Sequence, residues 1–191
     1  AANAAGWDEA NSIFSQSSIV TAVSATSGGG GIAVGVTDVS GNAGVVMTSA
    51  DGSAWTTIQN MTDTLIMTAA FVDGSTGVIG GIAMQGFNIQ PFIKRTTDGG
   101  SSFTDATIPG GWGDAVMHVV LTPGGTGVAL AGSGVWRSTD DGLTWSEVTV
   151  PDSGGTLNKV VMIDDDRGFI VGGDGGDDGG DDDDTDDWKA A

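Results

Sequence analysis

Three aspartates sit in turns of nearly the same sequence, and a turn carboxylate can either act on a substrate or tie the turn together. Asp51 stands in Ser49-Ala50-Asp51-Gly52-Ser53-Ala54-Trp55, and Asp98 in Thr96-Thr97-Asp98-Gly99-Gly100-Ser101-Ser102-Phe103. Asp140 stands in Ser138-Thr139-Asp140-Asp141-Gly142-Leu143-Thr144-Trp145. Glycoside chemistry would need two carboxylates facing each other across a cleft. Turn chemistry needs only local partners: Asp accepts hydrogen bonds from nearby backbone N–H groups, Gly supplies positive φ, and the aromatic buries itself on the adjacent strand. Recurrence of the same residues in the same order favours the structural role. The expected turn residues are therefore Ser49, Asp51 and Trp55; Thr96, Asp98, Gly100 and Phe103; and Ser138, Asp140, Gly142, Thr144 and Trp145.

Further carboxylates at Asp38, Asp73, Asp114 and Asp164 to Asp166 also lie in turn-like sequence, where paired acids could sit, but no pair is singled out. His118, the single histidine, lies in the apolar run AVMHVVL and reads as a core or edge residue. No cysteine is present, which removes disulfides, thiolate metal sites and a cysteine nucleophile. Between Asp174 and Asp187 the chain packs nine aspartates among glycines. Asp174, Asp177, Asp178, Asp181 and Asp183 are candidate weak ligands for a hard cation such as Ca²⁺. The stretch Gly172 to Gly180 begins like a calcium-binding nonapeptide, but Gly179 takes the place of the required apolar residue. An extended, self-repelling acidic loop over 173–187 is expected, and no other cofactor.

The elements that carry these turns repeat. Trp7, Trp55, Phe103, Trp145 and Trp188 recur at intervals of about 42 to 48 residues, the range of propeller and solenoid repeats. After each of the first four comes a pair of short Val- and Ile-rich segments, such as IVTAVSA with GIAVG or LNKVVMI with GFIVGG. Turn sequences such as DGSTG and PGGTG separate the members of a pair, and a further strand leads to the next aromatic. Helical periodicity is nearly absent. Four strands per repeat predict one all-β domain over 1–191, a β-propeller of four-stranded blades with repeats at about 8–55, 56–103, 104–145 and 146–188. About four repeats give a closed four-bladed ring or an arc of a larger one.

The turn at Ser138 to Trp145 matches S-x-D-x-G-x-T-W at every defined position, and the other two are near copies. The chain thus resembles the Asp-box, or BNR-type, propeller superfamily, which includes sialidases, xyloglucanases, sortilin-type receptors and photosystem II assembly and stability factors. The resemblance implies that the box is a peripheral hairpin away from the binding face. It looks most like the assembly-factor or sortilin-like branches. A sialidase is excluded, because that chemistry uses a Tyr nucleophile and an Arg triad in the family, whereas this chain has no Tyr. The function expected is a non-catalytic protein-binding scaffold or assembly-factor-like propeller. The alternatives are a carbohydrate-active enzyme or lectin-like glycan-binding propeller, and a structural subunit of a surface or filament assembly.

A formal net charge of −19 with six basic residues disfavours nucleic acid and anionic membranes as partners. No apolar run reaches the roughly 20 residues of a membrane-spanning helix. The expected partner is a protein or another copy of the chain. Arg95, Arg137 and Trp112 are candidate partner-facing residues, with pairing to neighbouring acidic turns the plainer role for the arginines. The opening AANAAGW lacks an initiator Met, and a processed N-terminus in an extracytoplasmic setting, secreted, cell-surface or plastid (thylakoid) lumen, is the expectation. Asn60-Met61-Thr62 is a glycosylation acceptor, expected in a loop after the Trp55 strand.

Overall fold

The computed structural model describes residues 19–26, 29–37, 43–86, 88–109, 115–150 and 155–173. All regular structure among them is extended. The first sheet comprises β1 (Ile19–Ala25), β2 (Gly31–Val36), β3 (Gly44–Ser49) and β4 (Thr56–Met61). The second comprises β5 (Thr64–Phe71), β6 (Gly77–Gln85), β7 (Asn88–Thr96) and β8 (Thr104–Asp105). The third comprises β9 (Val116–Leu121), β10 (Gly127–Ala131), β11 (Gly134–Ser138) and β12 (Ser146–Val148). A fourth sheet is formed by β13 (Thr156–Met162) and β14 (Gly168–Gly173). Within each sheet the strands pair in chain order, every neighbour antiparallel.

The sequence explains this local order. Runs such as GVVMTS and GVALA supply β-branched and small residues that suit a sheet buried on both faces. Every one of Gly127 to Ala131 is buried. Short polar turns force each strand back antiparallel on the last.

The sheets are phased differently from the sequence repeats. The three aspartate turns lie between the third and fourth strands, so the strand after each aromatic (β4, β8 or β12) pairs back on the strand it has just left. The complete sheets therefore run 19–61, 64–105 and 116–148, not 8–55, 56–103 and 104–145. A tight turn fixes antiparallel partners before any later strand can compete, whereas the aromatic marks only the position of the turn.

The core sits between sheets. Ile32, Val34 and Val46 of the first meet Ile66, Phe71, Ile79 and Phe92 of the second. Val78 and Ile93 of the second meet Val116, Val119, Trp136 and Trp145 of the third, and Val128, Leu130 and Val135 of the third meet Leu157 and Val160 of the fourth. Burying each such aliphatic side chain contributes about 1.5–3 kcal/mol, so these three junctions hold the stack together. The first strands β1, β5, β9 and β13 also follow one another in contact, forming the inner wall of the array.

Candidate functional site

The aspartate turns share one hydrogen-bond scheme. In the third sheet, Asp140 Oδ1 accepts the Thr144 N–H at 2.9 Å and the Ser138 hydroxyl at 2.8 Å, while Oδ2 accepts the Thr144 hydroxyl at 2.6 Å. The Gly142 N–H reaches back to Ser138 Oγ at 3.0 Å, and the Trp145 indole N–H donates to the Gly142 carbonyl at 2.9 Å. Asp98 repeats the scheme with Ser102 N–H at 2.8 Å, Ser102 hydroxyl at 2.6 Å and Thr96 hydroxyl at 2.8 Å, and Gly100 N–H donates to Thr96 Oγ1. The shorter Asp51 turn keeps the Ser53 N–H and hydroxyl, the Gly52 N–H to Ser49 Oγ, and the Trp55 N–H to the Gly52 carbonyl. Gly142 lies at φ 80° with Asp141 before it at φ 57°, a left-handed pair that reverses the chain within two residues.

These carboxylates are engaged as acceptors. Burial alone would raise the Asp140 carboxyl, but the hydroxyl and N–H of Thr144, with Ser138 and Leu143, outweigh it and hold its pKa below the ordinary value. The Ser102 hydroxyl and N–H lower Asp98, and the Ser53 N–H and hydroxyl lower Asp51. Groups held ionised by local donors fit turn anchors better than acids that must take up a proton in a reaction. Asp73 is bound in the same manner by the N–H groups of Thr76 and Ser75, and Asp164 by Arg167. Asp38, Asp114, Trp112 and the acidic positions Asp174, Asp177, Asp178, Asp181 and Asp183 lie outside the described residues. Among the described residues no group of three or more His, Cys, Asp or Glu side chains could hold a metal ion.

The arginines tie one sheet to the next. Arg95, on β7, donates through Nε to the Asp141 carbonyl at 2.9 Å and approaches the Asp141 carboxylate at 3.5 Å. Arg137, on β11, reaches the Asp165 carbonyl at 3.3 Å and the Asp166 carboxylate at 4.0 Å. Both therefore pair with acidic turns of the following sheet. Asn60 lies in strand β4, paired with Val45 and exposed, rather than in a loop. The tight turn lies before Trp55 and strand β4 begins at Thr56, directly after it, so the acceptor sequence falls on the strand itself.

Sequence reasoning missed the concavity. A cleft of about 600 Å³ opens between β9 and β13, with walls from Val120, Leu121, Val160, Val161, Met162 and Ile163. Its rim carries His118, Lys159, Thr122, Asp164 and Asp165. His118 is half-buried and its Nδ1 accepts the Val160 N–H at 3.4 Å. Burial first, and Lys159 second, push the imidazole pKa below its usual value, so the ring is neutral at pH 7 with its proton on Nε2. The two acids are spoken for, Asp164 by Arg167 and Asp165 by the Thr122 hydroxyl. Lys159 has no described carboxylate within 4.0 Å, unlike Lys94, Arg95, Arg137 and Arg167. The cleft thus offers apolar walls, an N–H donor and an ammonium with no described carboxylate beside it. Its walls come from strands about 40 residues apart, and only the repeat phase could have brought them together on paper.

No protein-family model matches the chain, and no curated protein matches it. Solved structures do. YCF48 bound to a D1 peptide superposes with a TM-score of 0.63 at 17% identity, covering 85% of this chain and 50% of that one. YCF48 from Cyanidioschyzon merolae superposes with a TM-score of 0.57 at 21% identity, covering 80% and 48%. An ancestral GH74 enzyme gives 0.59 at 17% identity, covering 81% and 22%. The chain spans about half the length of the two YCF48 chains. These likenesses carry the fold: the protein is all-β, and its four-stranded antiparallel sheets are the blades of a β-propeller.

Proposed function

We propose that the chain is a non-catalytic, protein-binding propeller that takes an extended, largely apolar peptide segment in the cleft between β9 and β13. The observation that carries this reading is the contrast between the two kinds of site. Asp51, Asp73, Asp98, Asp140 and Asp164 are bonded within their own turns, while the open cleft is apolar with one ammonium that has no described carboxylate beside it. Apolar walls with a few placed polar groups are the usual composition of a binding pocket. Inner-strand backbone and the His118 Nε2–H would serve the peptide's carbonyls, and Lys159 an acidic side chain or terminus. That a similarly folded protein, YCF48, has been solved with a D1 peptide supports a peptide ligand here.

In the same reading the three turns are Asp-boxes, structural hairpins of the blades, and Arg95 and Arg137 are inter-blade ties. No helix among the described residues is long and apolar enough to cross a membrane. Residence outside the cytoplasm, in a secreted, surface or organelle-lumen setting, is part of the proposal. It rests on the resemblance to the assembly-factor branch.

The test pairs a peptide-display selection on the whole chain with a turnover screen on β-glucans and xyloglucan. Recovered peptides whose binding is lost in Ile163→Glu support the reading. Release of reducing sugar sinks it in favour of the carbohydrate-active alternative suggested by the GH74 likeness.

A further inference from the structure

Polar side chains on the inner strands tie each blade to the next. At the first junction the Thr21 hydroxyl donates to the Ile66 carbonyl at 2.6 Å, and Ser24 Oγ accepts the Phe71 N–H at 3.0 Å. At the second, Thr68 Oγ1 accepts the Val119 N–H at 3.0 Å. At the third, His118 Nδ1 accepts the Val160 N–H. Strand register makes the last two ties equivalent. Thr68 and His118 pair with Gly80 and Leu130, each the third residue after the glycine that opens its second strand, and Val119 and Val160 pair with Ala129 and Ile170, each the second. One position is thus filled by a hydroxyl at one junction and by an imidazole at the next. Among these described ties, only that of His118 contains a group that titrates near neutrality.

Acceptance by Nδ1 requires the neutral ring, because an imidazolium carries a proton on both nitrogens. Charging the ring would set the Val160 N–H against a second donor and place a cation near Lys159, which already disfavours the charged form. The described surroundings offer no compensation. β10 presents Leu130 to His118, and Thr68 on β5 is engaged by Val119. At the rim, the Asp164 carboxylate is held by Arg167 and the Asp165 carboxylate by the Thr122 hydroxyl, while Asp166 faces Arg137. No described carboxylate lies within 4.0 Å of the imidazole.

We infer that His118 is a proton-operated latch on the cleft: neutral, it ties β13 to β9 through Val160, and protonated, it releases that tie and lets the two walls part. The tied strands are the ones that carry the apolar walls, Val120 and Leu121 on one side and Val160 to Ile163 on the other, so the tie sets their separation. Release stays local. Leu157 and Val160 still pack on Val128, Leu130 and Val135, and Arg137 still reaches the Asp165 carbonyl and the Asp166 carboxylate. The latch stands on the geometry of the junction. Its consequence for a ligand, weaker binding in mild acid, rests on the proposed role of the cleft as a peptide site.

Amide hydrogen exchange of the whole chain, with NMR titration of the His118 ring, tests the latch between about pH 7.5 and about pH 4.5. That window lies around and below the ordinary imidazole value of about 6.5 and above the ordinary carboxylate value of about 3.9. His118→Thr, which copies Thr68 and does not titrate, is the control; His118→Gln, whose side-chain carbonyl also accepts, replaces it if it melts early. After correction for the intrinsic pH dependence of exchange, Val160 in the parent should lose at least about tenfold in protection as the ring titrates, with Val119 unchanged. In His118→Thr, Val160 should stay protected throughout. A display-selected peptide, capped at both ends and free of Asp, Glu and His, should bind the parent at least about fivefold more weakly in acid and bind His118→Thr equally across the window. Val160 protection that does not follow the ring, that falls equally in His118→Thr, or that falls together with Val119 overturns the latch. Peptide affinity that does not follow the ring overturns its control of the cleft. A parent that binds no peptide at any pH sinks the peptide site instead, and the exchange result alone then decides the latch.

Discussion

The indole of Trp145 lies where Gly127 has no side chain: a Cβ at position 127 would stand 2.6 Å from Trp145 Cη2. The same relation recurs at lower pressure between Trp55 and Gly31, at 3.1 Å. In the first and third blades the aromatic that closes the turn is thus seated on the glycine that opens the second strand, whereas in the second blade Phe71, not Phe103, lies against Gly77. Trp145→Ala should cost about 3–5 kcal/mol as a buried aromatic, and Gly127→Ala about 1–3 kcal/mol through overpacking. In urea unfolding the double variant should lose less than the two single losses together, because the new methyl group moves into space the indole has left. Strict additivity would mean that the two residues do not touch.

Removing the Asp140 carboxylate leaves the Thr144 N–H without its acceptor and the Leu143 N–H with only its 3.3 Å bond to the Asp140 carbonyl. Asp140→Ala should therefore destabilise by about 0.5–1.5 kcal/mol, since the bonds are exposed, and Asp140→Ser, which can keep one of these bonds, by less. Thermal unfolding of the pair checks the order; equal melting temperatures would contradict it.

Two pH windows should be visible in unfolding. His118 has a folded pKa below its unfolded value of about 6.5, so the unfolded chain binds more protons below that pH and stability falls as pH drops through it. Asp51, Asp98 and Asp140 also have lowered folded pKa values. Their contribution is present above an unfolded pKa of about 3.9 and is lost as pH falls below it. His118→Gln should flatten the first window and leave the second. If the profile between neutrality and mild acid is unchanged in that variant, His118 is not held as described.

Arg95 and Arg137 hold matching strand positions but should differ in effect. Arg95 makes a short bond to the Asp141 carbonyl from a largely buried side chain, whereas Arg137 is more exposed and its contacts are longer. Arg95→Gln should cost about 1–2 kcal/mol, in the range of bonds from a charged donor. Arg137→Gln should cost about 0.5 kcal/mol or less, as exposed pairs do. Chemical denaturation of both variants measures the difference.

Much of this was legible in the sequence because blade residues recur in register. Ser138, Asp140, Gly142 and Thr144 form a local unit whose hydrogen-bond partners lie within a few residues, so residue type and spacing point to it. The placement of β12 with β11 was not legible, since an aromatic marks a turn without saying on which side the sheet is cut. Asn60 fell on a strand for the same reason. The cleft was invisible for a different one: His118 and Lys159 are separated by about 40 residues and meet only because β13 packs beside β9. Nothing local to either residue records that meeting.

The most direct measurement of the central claim is calorimetric titration of a display-selected peptide into the parent chain, Lys159→Ala and Ile163→Glu. Both side chains line the cleft, and Ile163 is 60% exposed, so neither change should disturb folding. The account predicts saturable binding to the parent and at least about tenfold weaker binding to each variant, a loss of some 1.4 kcal/mol. Equal affinity in all three proteins would contradict it.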